Sequence, residues 1–166
     1  GGAGMAGKRV VVIGANNSAH DICADLVEHG AQATMVQRSS THIVRQHTMT
    51  EVLLKPVYSQ EAVDAGITTE IADLLVASAP LRLMEMGARA SWAAIRTSEA
   101  AYYERLERAG FKLDFAEDGA GIGGKYLRSA SGYYIDVGAS EMIADGRIAL
   151  KSGVAVSHLT ERGVAF

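Results

Sequence analysis

A short run of glycine, amide and hydroxyl residues is the part of this sequence best suited to chemistry. Residues 14–19 read Gly-Ala-Asn-Asn-Ser-Ala, which is the pattern G-x-G-x-x-G/A with asparagine at the second glycine position. In that pattern the first glycine makes a tight turn, the second lets backbone approach a pyrophosphate, and the last residue keeps a helix close to the sheet. The run therefore indicates a phosphate-binding turn, and an ordinary turn between a strand and a helix in another α/β protein is the alternative.

Three residues of this turn have side chains that suit the start of a helix. Asn16, Asn17 and Ser18 are good N-caps, and the free backbone N–H groups at a helix start point towards an anion. Asparagine is also the non-glycine residue that best tolerates a left-handed backbone, and its amide can donate a hydrogen bond to a phosphate. Asn16 is therefore the non-glycine residue best suited to a left-handed backbone at the second position, and whether it weakens cofactor binding stays open.

The segments around the turn have the periodicity of a strand, a helix and a second strand. Residues 10–13 are an unbroken β-branched run, as in a strand that is buried on both faces in a parallel sheet. Gly30 is a natural end for the helix, and residues 33–37 read as the next strand. The helix has one predicted apolar face, formed by Ala19, Ile22, Cys23, Leu26 and Val27. Strand, glycine turn, helix and strand predict the opening unit of a dinucleotide-binding domain.

The end of the second strand indicates which dinucleotide is preferred. A site for NAD places a carboxylate on the ribose roughly 20 residues after the glycines, and no Asp or Glu stands there. Residues 37–41 are instead Gln-Arg-Ser-Ser-Thr. A guanidinium followed by hydroxyls suits the extra phosphate of NADP, which a carboxylate would repel. Arg38 and Ser39 thus favour NADPH, with an ordinary surface arginine as the alternative.

The predicted cofactor-binding residues come from the turn and from the end of the second strand. They are Gly14, Ala15, Asn16, Asn17, Ser18, Ala19, Arg38 and Ser39.

These same residues carry a resemblance to a known family. Residues 7–40 resemble the NADPH-binding segment of the flavin-containing monooxygenases, which include YUCCA-type and N-hydroxylating relatives. The family pattern is a strand, then Gly-x-Gly-Asn-Ser-Gly/Ala-x-Asp/Glu-Ile, then a second strand that ends in Arg-Ser or Arg-Thr. Residues 110–153 are similar to the longer microbial members. The residues that fit the pattern are Gly14, Asn17, Ser18, Ala19, Asp21, Ile22, Arg38 and Ser39, whereas Asn16 departs from it.

The resemblance implies a function for the chain within a larger protein. In that family NADPH reduces FAD, and the reduced flavin activates oxygen to oxygenate a small nucleophilic substrate. The flavin performs the chemistry, so we expect no catalytic residue and no metal ligand in this chain. The family's FAD-binding glycine motif lies before the NADPH segment. We therefore expect a fragment of a larger FAD-containing protein, which binds NADPH, contacts the FAD-binding domain and has no turnover in isolation.

Two other functions are compatible with the sequence. One is the pyridine-nucleotide domain of another flavin reductase, such as a disulfide-reductase-like protein, which would use a Cys-x-x-Cys pair. The chain has a single cysteine, Cys23, on the predicted buried face of the helix. The other is a non-catalytic Rossmann-like structural or interaction domain, in which Asn16 has abolished cofactor binding.

Composition limits the class of protein. The chain has 166 residues, of which 48% are hydrophobic and 21% charged, as in a globular domain with a sizeable core. A net charge of −3 provides no basic field for nucleic acid or an acidic membrane, and no apolar run is long enough to span a bilayer. One cysteine excludes an internal disulfide and fits a cytoplasmic location. The oligomeric state stays open.

The complete prediction is an α/β fold, a Rossmann-like three-layer arrangement with a parallel sheet, a helical insertion and a C-terminal β-meander. Residues 1–7 are expected to be a linker or an expression remnant, and residues 8–166 the NADPH-binding domain. The helical insertion covers residues 67–110, with a Thr68 cap, a break near Gly87 and an end at Gly110. The β-meander covers residues 147–166, where the chain would cross back to an FAD domain.

The remaining segments give weaker predictions. Residues 41–58 read as an irregular connection with one or two short elements, in which His42 and His47 are structural or surface residues rather than metal ligands. Residues 119–124 read as a mobile glycine-rich loop, and Lys125, Tyr126 and Arg128 just beyond it could reach a bound nucleotide. Residues 133–137 predict another strand of the same sheet. A turn at residues 138–140 and a short helix follow, with Gly138 and Ser140 as further candidates for the cleft wall.

Overall fold

Parallel strands and helices make up a mixed α/β fold in the computed structural model, which describes residues 1–130 and 132–166. The strands are β1 (Arg9–Ile13), β2 (Gln32–Gln37), β3 (His42–Arg45), β4 (Tyr133–Asp136), β5 (Ala149–Ser152), β6 (His158–Thr160) and β7 (Gly163–Ala165). The helices are α1 (Asn17–Glu28), α2 (Gln46–Thr48), α3 (Gln60–Asp64), α4 (Thr69–Ser78), α5 (Leu81–Ser98), α6 (Ala100–Arg108), α7 (Gly121–Ser129) and α8 (Ala139–Ala144). No helix of the described residues is both long and apolar enough to cross a membrane.

The main sheet has the order β1-β2-β5, and all its strands are parallel. Val10 pairs with Ala33 and Thr34 pairs with Ala149, so β2 is the central strand. Helix α1 connects β1 to β2, and Gly30 follows its end with a φ of +78°. The predicted unit of strand, glycine turn, helix and strand is confirmed.

Helix α1 covers one face of this sheet. Its buried residues Ala19, Cys23 and Leu26 belong to the same core cluster as Ala33 and Met35 of β2. The predicted apolar face was wrong in part. Ile22 is 50% exposed, and His20 is fully buried on the other flank of the Ala19–Cys23–Leu26 row. The helix is therefore rotated towards its histidine, because that ring has an aromatic partner in the core.

The opposite face of the sheet is less covered than the sequence predicted. Val11 and Ile13 are 39% and 61% exposed, and the burial of β1 alternates along the strand. The prediction that β1 is buried on both faces was therefore wrong. The physical reason is that β1 is an edge strand with its helix on one side only, so the described residues form two layers here rather than three.

A second parallel pair, β3 with β4, lies apart from the main sheet. The predicted strand near residue 133 is confirmed, but it pairs with β3 and does not join β1, β2 and β5. Val44 of β3 packs with Trp92 and Ile95 in a separate core cluster. Residues 46–54 continue from β3 as a helical stretch that ends in a π-helix, so the predicted irregular connection contains more helix than expected.

The helical segment was predicted well, apart from its bend. The Thr68 hydroxyl accepts a hydrogen bond from the Ile71 N–H at the start of α4, as the sequence indicated. The break between α5 and α6 falls at Glu99, not at Gly87, which lies inside α5. Glu99 is held in place because its carboxylate accepts a hydrogen bond from the Thr48 hydroxyl. Gly110 ends α6 with a φ of +88°.

The predicted mobile loop at residues 119–124 was wrong, because residues 121–124 begin α7. Gly121 has a φ of +65°, and its backbone lies against Trp92. A Cβ at this position would stand 2.0 Å from the Trp92 ring nitrogen. The glycine is therefore needed for close packing between α7 and α5.

The C-terminal end of the chain also differs from the prediction. Strand β5 joins the main sheet in parallel, and only β6 and β7 form an antiparallel hairpin, so residues 147–166 are not a simple meander. A local pattern of short strands cannot distinguish these pairings, because the partners are remote in sequence. At the other end, the Gly2 N–H donates to Asp25 Oδ2 at 2.6 Å and the Gly7 N–H donates to the Gly30 carbonyl, and the origin of residues 1–7 as a linker or an expression remnant stays a prediction. The division into domain and insertion stays a prediction.

Candidate dinucleotide-binding site

A cleft of about 420 Å³ lies at the carboxyl ends of β1 and β2. In open α/β sheets this edge is where ligands bind, because the turns after neighbouring parallel strands meet there. The cleft is lined by Ile13, Gly14, Ala15, Asn16, Val36, Arg38, Ser39, Thr41, Val154, Ala155 and Val156.

The turn after β1 forms one wall of the cleft. Gly14 has a φ of +141°, which favours glycine, and its N–H donates to the Val36 carbonyl at 3.0 Å. Asn16 has a φ of −106° and a ψ of −169°, an extended conformation that any residue adopts. The expectation that Asn16 replaces a left-handed glycine was therefore wrong. The turn needs no glycine there for its backbone shape, and the exposed Asn16 side chain lines the cleft.

The start of α1 has unsatisfied backbone donors. Asn16 is the N-cap residue, yet no side chain caps the helix, which differs from the capping that the sequence suggested. Within the described parts of the chain, the N–H groups of residues 15–19 have no hydrogen-bond acceptor. The Asn17 Oδ1 accepts instead from the Ile135 N–H of β4 at 2.9 Å. The first turn of a helix of this length therefore offers donors and a positive dipole end to an anion.

Arg38 and Ser39 follow β2 on the opposite side of the cleft. Both are exposed, and across residues 1–130 and 132–166 the Arg38 guanidinium has no hydrogen-bond or ion-pair partner. Their backbone is held by Gln37, whose buried amide donates to the Lys112 carbonyl at 2.9 Å and accepts from the Lys112 N–H at 2.8 Å. Ser40 does not face the cleft, since its hydroxyl donates to the Asp114 carboxylate. From this segment, one cationic residue, Arg38, and two hydroxyl residues, Ser39 and Thr41, thus line the cleft.

The third wall was missed by sequence reasoning. Residues 154–156 belong to the predicted β-meander, but they have no strand pairing and line the cleft. The Gly153 N–H donates to the Gln37 carbonyl at 2.7 Å, which brings this segment beside the end of β2. With Ile13 and Val36 it gives the cleft an apolar side. Only knowledge that β5 pairs with β2 would have identified it.

The structure brings some of the predicted residues together and separates others. Gly14, Ala15, Asn16, Arg38 and Ser39 line the same cleft. Ala19 is buried in the core, and Ser18 is exposed on the first turn of α1. The suggestion that Lys125, Tyr126 and Arg128 reach this site was wrong. The Lys125 ammonium pairs with Asp114, Tyr126 lies on another pocket, and the Arg128 guanidinium pairs with Asp118 at 2.9 Å.

A second turn, at residues 137–140, has the same order of strand, glycine and helix but no free donors of this kind. Gly138 has a φ of +127°. The Asp136 carboxylate accepts from the Gly138 and Ser140 N–H groups at 2.9 Å and 3.2 Å. The Tyr134 hydroxyl accepts from the Val137 N–H at 3.1 Å and from the Ala139 N–H at 3.4 Å. Gly138 and Ser140 do not line the cleft, so that prediction was wrong.

His20 is a further residue of the site that the sequence did not single out. Its ring is fully buried behind the first turn, and its Nδ1 lies 3.0 Å from the Asn16 carbonyl oxygen. The ring stacks on Tyr134 at a centroid distance of 3.8 Å. Burial lowers the pKa of His20 from 6.5 to about 4, because the charged imidazolium is poorly solvated there. In the sequence, the signal that could have indicated this role was a polar residue, His20, next to the apolar face of the predicted helix.

Comparison with known proteins identifies the family. The model of the family described as pyridine nucleotide-disulphide oxidoreductase matches residues 3–105, which is more than half of the 166 residues. An indole-3-pyruvate monooxygenase of Arabidopsis thaliana, YUCCA6, is 44% identical over 43 residues, 26% of this chain and 10% of the relative. YUCCA4 of Oryza sativa subsp. japonica has the same identity and the same coverage of both chains. A probable indole-3-pyruvate monooxygenase of Arabidopsis thaliana, YUCCA3, is 34% identical over 62 residues, 37% of this chain and 12% of the relative.

The matches to the curated relatives are short. Each match spans about a tenth of the length of its curated relative. The resemblance to flavin-containing monooxygenases that the motif indicated is confirmed by these relatives. The family model also extends across β1, α1, β2 and most of the helical segment. The chain therefore belongs to the pyridine nucleotide-disulphide oxidoreductase family.

Proposed function

We propose that this chain is the NADPH-binding domain of a flavin-dependent monooxygenase that oxygenates a small nucleophilic substrate. The observation that carries this proposal is the pairing of two features across one cleft. Backbone donors without acceptors in the described chain lie on one side, and the Arg38 guanidinium, equally free there, lies on the other. A dinucleotide phosphate carries its negative charges in two places, and this cleft has a donor group for each.

The residues fit such a coenzyme in a defined way. The pyrophosphate would be bound by the N–H groups of residues 15–19, where the dipole of α1 adds to the attraction. Arg38 and Ser39 would bind the 2′-phosphate of the adenosine ribose, since a guanidinium matches phosphate oxygens in charge and geometry. The apolar wall formed by Ile13, Val36 and residues 154–156 would accommodate the adenine ring.

The role of the chain is to bind and orient the coenzyme rather than to react. When bound in the larger protein, FAD supplies the redox chemistry by accepting electrons from NADPH and activating oxygen. The residues of the cleft provide charge, hydrogen-bond donors and an apolar surface, and none of them needs to act as an acid, a base or a nucleophile. An FAD-binding domain is therefore the proposed partner, and the isolated chain should bind NADPH without turnover.

The second candidate function is that of another flavin reductase of the same family. It is supported by the description of the matching family, pyridine nucleotide-disulphide oxidoreductase. A disulfide-reducing member needs an accessible reactive thiol. Cys23 is fully buried in the core cluster, and burial raises the pKa of its thiol to about 12. This cysteine is therefore unsuited to that chemistry, and the monooxygenase proposal rests on the YUCCA resemblance instead.

The proposal is tested by calorimetric titration of the chain with NADPH and, in parallel, with NADH. The account predicts that NADPH binds at least tenfold more tightly, because only NADPH has a phosphate for Arg38 to bind. Equal affinity for the two coenzymes would contradict the role given to Arg38. Absence of binding by both would favour a structural or interaction domain. The cytoplasmic location stays a prediction.

A further inference from the structure

A buried histidine holds the back of the first turn. His20 lies within the first turns of α1, and the Asn16 carbonyl receives two contacts from it: the backbone N–H at 3.1 Å and the ring Nδ1 at 3.0 Å. A carbonyl oxygen can only accept a hydrogen bond, so the ring proton is assigned to Nδ1 by this contact. The neutral imidazole therefore acts as a donor to the turn from the side opposite the cleft.

The surroundings of the ring allow it one orientation. His20 stacks nearly parallel on Tyr134, with an interplanar angle of 7°, and it lies 5.7 Å from the Phe111 ring. Its Nε2 is buried and has no hydrogen-bond partner in the described chain. A 180° ring flip would place Cδ2 where Nδ1 stands and leave the Asn16 carbonyl without its second donor. Stacking on Tyr134 therefore fixes the plane of the ring, and the contact with Asn16 selects the orientation in which the Nδ1–H points at the turn.

The next residue of the turn is held by the same strand. The Asn17 Oδ1 accepts from the Ile135 N–H, one residue after Tyr134 in β4. Two consecutive residues of the turn are thus fixed from behind, Asn16 through a ring and Asn17 through its own amide. Both contacts depend on β4. This strand pairs with β3, which begins at His42, four residues after Arg38.

We propose that His20 is a positioning residue for coenzyme binding, which sets the backbone of the dinucleotide-binding turn by donating its Nδ1–H to the Asn16 carbonyl. This inference rests on the proposed function. The carbonyl of Asn16 and the following N–H belong to one planar peptide, so fixing the oxygen also fixes the direction of the Asn17 N–H at the start of α1. A turn that lacks its second glycine thereby keeps its donors aligned.

A purely structural role for His20 makes a different prediction, because packing and donation can be separated by substitution. His20→Leu keeps an apolar side chain of substantial volume but removes the donor. His20→Asn removes the stacked ring but keeps a donor close to the Nδ1 position, because the amide nitrogen of asparagine is bonded to Cγ, as Nδ1 is in histidine. The leucine variant should therefore be the more stable and the asparagine variant the better binder.

The experiment measures the melting temperature and the calorimetric Kd for NADPH of the wild type and of both variants. We expect His20→Leu to bind NADPH about tenfold more weakly than the wild type. Its drop in melting temperature should be smaller than that of His20→Asn. We expect His20→Asn to stay within about threefold of the wild-type Kd despite the larger drop. Affinities that follow the melting temperatures, or that do not change, would overturn the inference.

A second measurement keeps the inference testable if a variant fails to fold. The ¹⁵N spectrum of the wild-type imidazole reports which nitrogen carries the proton. A proton on Nδ1 of His20 is expected, and a proton on Nε2 would overturn the inference. If the wild type does not bind NADPH, the proposed function fails. If the wild type binds and His20→Leu binds equally well, only the positioning role fails.

Discussion

The turn after β1 and the turn after β4 share the order of strand, glycine and helix, but they use their backbone donors in opposite ways. After β1, the N–H groups of residues 15–19 have no acceptor in the described chain, and Ala15 and Asn16 line a cleft. After β4, Asp136 and Tyr134 accept from the N–H groups of residues 137–140. The second turn supplies its own anion, whereas the first leaves that place to a ligand.

This difference shows what a glycine turn does and does not indicate. Glycine gives both turns a backbone conformation that side chains disfavour, with φ values of +141° at Gly14 and +127° at Gly138. The residue near the end of the strand decides whether the helix start is free. That residue is Ile13 at the end of β1 and Asp136 at the end of β4. A carboxylate there neutralises the donors, and an apolar residue leaves them available.

The largest expected effect is on the second turn. Replacing Asp136→Ala removes the acceptor of two backbone N–H groups and of the Tyr102 hydroxyl. We expect a loss of about 3 to 4 kcal/mol in the free energy of unfolding, because one buried donor and two partly buried donors are left unsatisfied. Urea denaturation measures it. Asp136→Asn is the matched control, since it keeps one acceptor oxygen and should lose less. A loss below about 1 kcal/mol for Asp136→Ala would show that the second turn does not depend on its carboxylate.

The histidine behind the first turn makes stability depend on pH. Burial lowers the pKa of His20, and likewise that of His42, from 6.5 to about 4. Between those values the unfolded chain binds protons that the folded chain does not, so stability is full above pH 6.5 and falls as the pH decreases towards 4. Each histidine should account for about 3 kcal/mol of the total loss.

The pH effect is measured by urea denaturation at pH 7.5 and pH 5. The loss between these conditions should be smaller in His20→Leu than in the wild type by about 2 kcal/mol, because that variant lacks one of the titrating groups. An equal loss in the two proteins would mean that His20 is not held neutral behind the turn.

On the cleft side, Arg38→Ala tests the cation opposite the first turn. Loss of a charged hydrogen bond should weaken NADPH binding by about 1.5 to 3 kcal/mol, which is roughly 10- to 100-fold. NADH affinity should change less than twofold, because NADH has no 2′-phosphate. Calorimetry with both coenzymes measures this. Arg38→Lys serves as the control, since it keeps the charge and loses the paired geometry, and its effect should be intermediate. Equal losses for NADPH and NADH would remove Arg38 from the phosphate site.

The smallest effect is expected at the position where the sequence departs from the glycine pattern. Asn16 already has an extended backbone, so Asn16→Gly relieves no strain there. We expect changes of a few tenths of a kcal/mol in stability and of less than threefold in the Kd for NADPH. A tenfold gain in NADPH affinity would show instead that the Asn16 side chain obstructs the coenzyme.

The sequence predicted those features that depend on local periodicity. Strand β1, helix α1, strand β2 and the Thr68 cap of α4 follow from short-range patterns, and each was confirmed. The position of Arg38 beside the turn follows as well, because the carboxyl ends of adjacent parallel strands meet.

Features that depend on remote partners could not be predicted in this way. Gly121 begins a packed helix because Trp92 lies against it, and nothing near residue 121 in the sequence indicates that contact. His20 is buried because Tyr134 stacks on it. Strand β5 has the same local pattern whether it joins β2 in parallel or turns back in a meander. In each case a tertiary partner, rather than a propensity, determined the outcome.

The most direct test of the account follows the backbone amides of both turns by NMR while NADPH is added. The account predicts that the ¹H–¹⁵N signals of residues 15–19 and of Arg38 shift in a saturable manner, because their N–H groups and guanidinium become hydrogen-bonded to phosphate. The signals of residues 137–140 should remain in place, because their N–H groups already have acceptors. Saturable shifts confined to the second turn, or no shift at residues 15–19, would contradict the central claim.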